Sequence, residues 1–198
     1  MRSEKEVLDV FSNELNSFET AGTKIREFTL EIMQYMPDYF LEKINGLDNK
    51  IVIHTKSCMV IANELFRLEC FREKFSASER DCIRSALLLH DAMVFGNGEQ
   101  RKEVFTHPEY VATYLVSDKW EDKLPDFIRK DIAGMIASHS GQWNIGDDDF
   151  HLKKPETECQ IFVHMIVHIV ESDDCTTSLP VVATAYERLY NLKYSRES

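Results

Sequence analysis

The residues that interrupt regular structure are scarce: 7 Gly and 5 Pro occur among 198 residues. That scarcity excludes a collagenous, Pro/Gly-rich or low-complexity chain. Basic residues are outnumbered, 23 Lys and Arg against 34 Asp and Glu, for a formal net charge of -11. A protein that grips duplex DNA through its phosphates shows a basic patch, and none is visible, so duplex nucleic acid is not an expected partner. A small anionic substrate stays open, because a divalent metal inverts the local field of an acidic protein. The five cysteines, Cys58, Cys70, Cys82, Cys159 and Cys175, are odd in number and form no C-x-x-C pair. That argues against a disulfide framework and against a zinc ribbon. No apolar run reaches the roughly 20 residues needed to span a bilayer, and Met1 to Val10 is too charged for a signal peptide. The expectation is a soluble cytoplasmic protein with reduced thiols and no membrane partner.

What is present is helical patterning over a substantial apolar fraction, 43% of the residues. Apolar residues recur at three- and four-residue spacing through nearly the whole chain. The pattern predicts helices over about 3–19, 22–36, 52–70, 76–94, 106–117, 125–139, 155–172 and 181–193. Ser76-x-x-Glu79 and Thr106-x-x-Glu109 read as capping boxes. Residues 45–50 read as a short polar link, and 147–149 as a solvated acidic loop with His151 exposed beside it. No convincing strand and no internal repeat is visible. The expected architecture is an all-α bundle of about seven to nine helices. Residues 1–20 form an N-terminal helical arm, a candidate for homodimer contact, and residues 21–198 form one domain.

Seven histidines occur, and their placement matters more than their number. His54 shares an apolar stripe with Cys58, Ile61, Ala62 and Leu65. His90 follows Ile83 and Leu87, with Asp91 next to it. His139 closes the stripe Ile128, Ile132, Met135, Ile136. His164 and His168 lie one turn apart, with Glu171 on the same face. A single inward histidine is usually a core residue bonded to a carbonyl. Several on separate helices, beside an aspartate, call for a common reason, since each buried polar group without a partner costs about 1–3 kcal/mol. Imidazole and carboxylate are ordinary ligands for Zn, Mn, Fe, Ni or Mg-like ions. Spacing alone leaves open whether the helices converge.

The order His54, then His90-Asp91 within SALLLHDA, resembles the HD metal-dependent phosphohydrolase superfamily. The segments MPDYF, IHTKSCMVIANELFRLE, ALLLHDAMVFG, FTHPEYVATYL, IASHSGQWN and KKPETECQIFVHM resemble, in that order, a group of HD-domain proteins met in bacteria and their phages. The similarity covers roughly residues 25 to 175. It implies an HD-type helical domain with one or two divalent ions (Mn, Fe, Ni, Zn or Mg). His54 would be the first ligand and His90 and Asp91 the signature pair, with Asp91 bridging and serving as the catalytic residue. His107 and His139 would hold a second ion, and Gln142 and Trp143 would line the pocket. Lys56 is a candidate phosphate contact, with a solvated helix lysine as the blander reading.

Three departures from that pattern stand out. The family's final aspartate falls at Val167, leaving His168 or Glu171 as substitute ligands. A polar residue expected three positions after Asp91 is Val94. The stretch before His54 is short. The resemblance therefore implies a metal-dependent phosphohydrolase acting on a nucleotide or related phosphate ester. The alternatives are a catalytically degenerate relative that binds a nucleotide or protein partner, and a structural module with satisfied core histidines.

Overall fold

The computed structural model describes residues 1–20, 24–96, 103–141 and 152–171, with only the backbone at 171. The helices are α1 (Glu4–Leu15), α2 (Ile25–Tyr35), α3 (Lys50–Arg67), α4 (Glu69–Lys74), α5 (Ala77–Leu89), α6 (His107–Leu115), α7 (Asp126–Ser138) and α8 (Glu158–Glu171), and all but α4 form where the apolar periodicity places a helix. Among the described residues the fold is all-α, apart from a two-stranded hairpin of β1 (Lys43–Ile44) and β2 (Leu47–Asp48). No described helix is long and apolar enough to cross a membrane. The expected helix at 181–193, the acidic run 147–149, His151, Gln142, Trp143 and the side chain of Glu171 lie outside the described residues.

Local chemistry explains most boundaries. Ser76 accepts from the Glu79 amide and Glu79 reaches back to the Ser76 amide, the expected reciprocal cap, a device worth about 1 kcal/mol. The same arrangement at Ser3 and Glu6 starts α1. A third pair was not read from the sequence: Thr157 Oγ1 accepts from the Gln160 amide, and Gln160 Oε1 accepts from the Thr157 amide. It starts α8 three residues later than Pro155 suggested.

Other expectations are corrected. Thr106 makes no side-chain cap, because its backbone (φ -87°, ψ 10°) is in the bridge region and not in the extended one that capping needs. Residues 45–50 are not merely a link. Asn45 and Gly46 both have positive φ, 53° and 78°, the paired left-handed geometry of a two-residue hairpin turn, which Asn-Gly favours. The flanking strands are two residues each, too short for alternation to reveal. The helix expected over 52–70 breaks at Leu68, which is extended. No Gly or Pro marks the break. It lets Phe71 turn into an aromatic cluster with Phe162, which also stacks on Phe66 and meets Phe75 edge-on.

α5 is the central element. Every residue from Arg80 to Leu89 is buried, and α2, α3, α7 and α8 all pack on it. α1 buries Val7, Phe11 and Leu15 in the same core. The segment expected as an arm is thus packed into the bundle. A helix buried on all sides must satisfy its polar residues internally. Thr29 Oγ1 donates to Ser85 Oγ at 2.7 Å. Asp81 accepts from the Glu19 amide at 2.9 Å, the Thr20 amide at 2.8 Å and the Thr20 hydroxyl, and pairs with Arg84 at 2.9 Å. Arg80 and Arg84 both donate to Glu19.

The hydrogen bonds from Arg80, then Arg84, hold the Glu19 carboxyl down at about 2 against partial burial. A depressed carboxylate pKa contributes stability that is fully present above the unfolded value of 4.5 and is lost as pH falls toward 2. The Glu19 side chain is 35% exposed, so solvent screening leaves only about 1–2 kcal/mol. Glu19→Gln should flatten the acid limb of stability between pH 4.5 and 2, read by urea unfolding at each pH. An acid limb identical to the wild type would remove Glu19 as its source.

Candidate metal centre

Four histidines reach one point from four places in the bundle. His54 comes from the first half of α3, His90 caps the C-terminus of α5, His107 opens α6 and His139 caps the C-terminus of α7. Asp91, directly after His90, sits among them. Its two carboxylate oxygens face different partners. Oδ2 lies 3.5 Å from His90 Nε2 and 3.9 Å from His54 Nε2. Oδ1 lies 3.1 Å from His107 Nε2 and 3.6 Å from His139 Nε2.

One local device aims three of the rings. His90, His107 and His139 each direct Nδ1 to the carbonyl three residues earlier, Leu87 at 2.8 Å, Val104 at 2.8 Å and Ile136 at 2.7 Å. A carbonyl only accepts, so each Nδ1 carries the proton and a neutral ring then presents a bare Nε2 lone pair to the centre. Yet His107 Nε2 and His139 Nε2 are 3.3 Å apart, and His54 Nε2 and His90 Nε2 are 3.0 Å apart. Neutral His107 and His139 would oppose lone pair to lone pair. A positive centre is required between them, either an added proton or a metal ion. The C-terminal dipoles of α5 and α7 point at the same place and favour a cation there.

The titration behaviour follows from this crowding. Burial works to raise the Asp91 carboxyl, but His90, the hydrogen bond from His107, and His139 together hold it well below the carboxylate range. Burial works to lower His107, and the hydrogen bond and charge of Asp91 outweigh it, so His107 rises. His139 is pushed well down, by burial first and then by His90, against the pull of Asp91. One added proton therefore belongs on His107, shared with Asp91. A metal ion held here would take that proton's place, as metal binding is generally coupled to proton release. Two ligand groups result: His54, Cys58 and His90, and Asp91, His107 and His139. Within each group the donor atoms lie within 4.8 Å of one another. A divalent ion is compatible with both donor sets.

The sequence-derived candidates sort clearly. His54, His90, Asp91, His107 and His139 come together. His168 does not join them as a ligand. Its Nε2 meets the His139 carbonyl at 3.1 Å, as does His164 Nδ1 at 2.5 Å, so both rings hold the backbone of a ligand in place. Val167 itself is fully buried and Val94 nearly so. Lys56 Nζ is committed to Asp48 Oδ2 at 2.6 Å, not to an anion site.

Two residues near the site were not singled out in the sequence. Tyr39 donates to the Gly96 carbonyl at 2.9 Å and accepts from the Phe95 amide at 3.2 Å, pinning the turn that follows Asp91. Burial, with the Asp91 charge adding to it, raises its phenol to about 12, so it stays a donor. Cys58, one turn after His54, reads as apolar filler in sequence yet faces the histidines. Its i, i+4 relation to His54 was the available signal. Gly141 is required just past His139: a Cβ there would meet the Lys153 carbonyl oxygen at 1.9 Å.

In comparisons with protein-family models, curated proteins and solved structures, nothing matches this chain. The functional reading therefore rests on the geometry of the site and on the motif order.

Proposed function

We propose that this protein is a metal-dependent phosphohydrolase of the HD type, acting on a nucleotide or related phosphate ester in the cytoplasm. The observation that supports this reading is the convergence of four imidazole Nε2 atoms on the two oxygens of one carboxylate. His54, His90 and Asp91 would hold one ion and Asp91, His107 and His139 a second. When bound, such ions supply Lewis acidity toward phosphoryl oxygens and toward water. The protein's own part is positional. Asp91 bridges the two ligand groups and holds the negative charge between them. His107 carries the proton that leaves when an ion enters. Nδ1 of His90, His107 and His139 locks each ring, so no reorientation is needed. The Asp91 side chain remains 17% exposed, which leaves the centre approachable.

A second reading, a non-catalytic HD relative that binds a nucleotide or protein partner, is favoured by one observation. Val167 and Val94, where the resembled enzymes carry polar groups, are packed into the core. The deciding experiment loads the protein with Mn, Ni, Zn or Mg and screens nucleotides and phosphate esters for phosphate release. Metal-dependent turnover supports the hydrolase. Metal binding and nucleotide binding without turnover on any ester support the second reading.

Chelation supplies an independent check. An ion present at 100 times its Kd stabilises the fold by about 2.7 kcal/mol, which for a chain of this size is about 5–10 °C in Tm. Stripping metal with EDTA should lower Tm by that amount, and adding back the ion should restore it. A Tm indifferent to chelator and to added ions would instead favour the structural module.

A further inference from the structure

Cys58 is fully buried, with its Sγ 3.7 Å from His54 Nε2. Buried cysteines are ordinarily small apolar filler, and Cys82 fits that description in the core. Cys58 differs in facing two imidazoles. Its Sγ belongs to the group of donors with His54 Nε2 and His90 Nε2. The spacing is that of a coordination sphere. A tetrahedral ion with metal–nitrogen bonds near 2.05 Å and a metal–sulfur bond near 2.3 Å sets N···N about 3.3 Å and N···S about 3.6 Å apart. The corresponding separations here are 3.0 Å and 3.7 Å.

We propose that Cys58 is a thiolate metal ligand, and that the two ligand groups divide the work. His54, Cys58, His90 and Oδ2 of Asp91 make a closed four-donor site for a thiophilic ion. Oδ1 of Asp91, His107 and His139 make a three-donor site that keeps a position for substrate. Closed four-ligand sites are the structural kind, and three-ligand sites with an open position are the reactive kind. A thiolate selects zinc, cobalt or iron over magnesium. On binding, the thiol proton leaves to solvent and the sulfur lone pair forms the new bond. This assignment rests on the reading that the cluster holds divalent ions.

The test is a cobalt(II) titration of the full chain, followed by near-ultraviolet absorption and elemental analysis. The wild type should show the intense sulfur-to-cobalt charge-transfer band. His107→Ala and Cys70→Ser should keep the band. Cys58→Ser should lose it, and affinity at that site should fall by more than the roughly 10–100-fold that follows loss of an outer-shell partner. Cobalt bound by the wild type without the band would overturn the thiolate assignment while leaving the metal centre standing. A band that persists in Cys58→Ser would also overturn it. No cobalt uptake at all would overturn the metal centre and this inference together. A wild-type spectrum without the band overturns the assignment even if a variant fails to fold.

Discussion

Under the metal-dependent hydrolysis proposed above, Asp91→Ala should strip the protein of bound divalent metal and lower phosphate release at least about a thousandfold. The physical reason is that Asp91 is the only carboxylate in the two groups among the described residues, with Oδ1 beside His107 and His139 and Oδ2 3.5 Å from His90 Nε2 of the other group. Its removal leaves His107 and His139 with no anionic partner and takes the nearest carboxylate oxygen away from His54, Cys58 and His90. Neither group then keeps its full set of donors. Loss of several kcal/mol of charge stabilisation, at about 1.36 kcal/mol per factor of ten, accounts for the magnitude. Asp91→Asn preserves the shape and separates charge from volume. It should lose metal as well, because an amide oxygen bridges cations poorly. Elemental analysis of both variants checks this directly. Full metal content in Asp91→Ala would mean that ions bind elsewhere.

The second large effect is structural and lies far from the metal centre. Asp81→Ala should cost about 3–5 kcal/mol, the range for removing one member of a buried ion pair. Asp81 is fully buried, pairs with Arg84, and takes the amides of Glu19 and Thr20. Without it, two backbone donors lose their acceptor. Arg84 keeps Glu19 and Asn63 but loses its innermost counter-charge. Such a loss corresponds to about 6–20 °C in Tm for a domain of this size. Urea unfolding of Asp81→Ala measures it, and a cost below about 1 kcal/mol would show that water replaces the carboxylate. The same contacts fasten residues 19–20 to α5. They explain why α1 belongs to the bundle and does not project from it.

The helices and most of their ends were legible in the sequence because they depend on neighbours three and four residues away. The stripes through Val7, Phe11 and Leu15, and through Ile83 and Leu87, are the buried faces. Ser76 with Glu79 caps as its spacing requires. Boundaries failed where long-range contact overrode local preference. Leu68 breaks a helix that no Gly or Pro interrupts, because Phe71 gains an aromatic cluster. Thr106 forgoes its cap, because the turn before α6 follows the geometry that brings His107 to Asp91. The hairpin at Asn45-Gly46 carried a clear turn signal, but strands of two residues left no pattern around it.

The site divides along the same line. By itself the sequence determined which donors exist, and that His54, His90, Asp91, His107 and His139 sit at inward positions or helix ends. Only the tertiary structure decided that their Nε2 atoms meet around both oxygens of one carboxylate, that His168 serves the His139 carbonyl, that Lys56 is bound to Asp48, and that Cys58 lies beside His54 and His90. Helical periodicity fixes the face on which a residue lies. It carries no information about which other face comes opposite, because that depends on the packing of α3, α5, α6, α7 and α8 around a shared core.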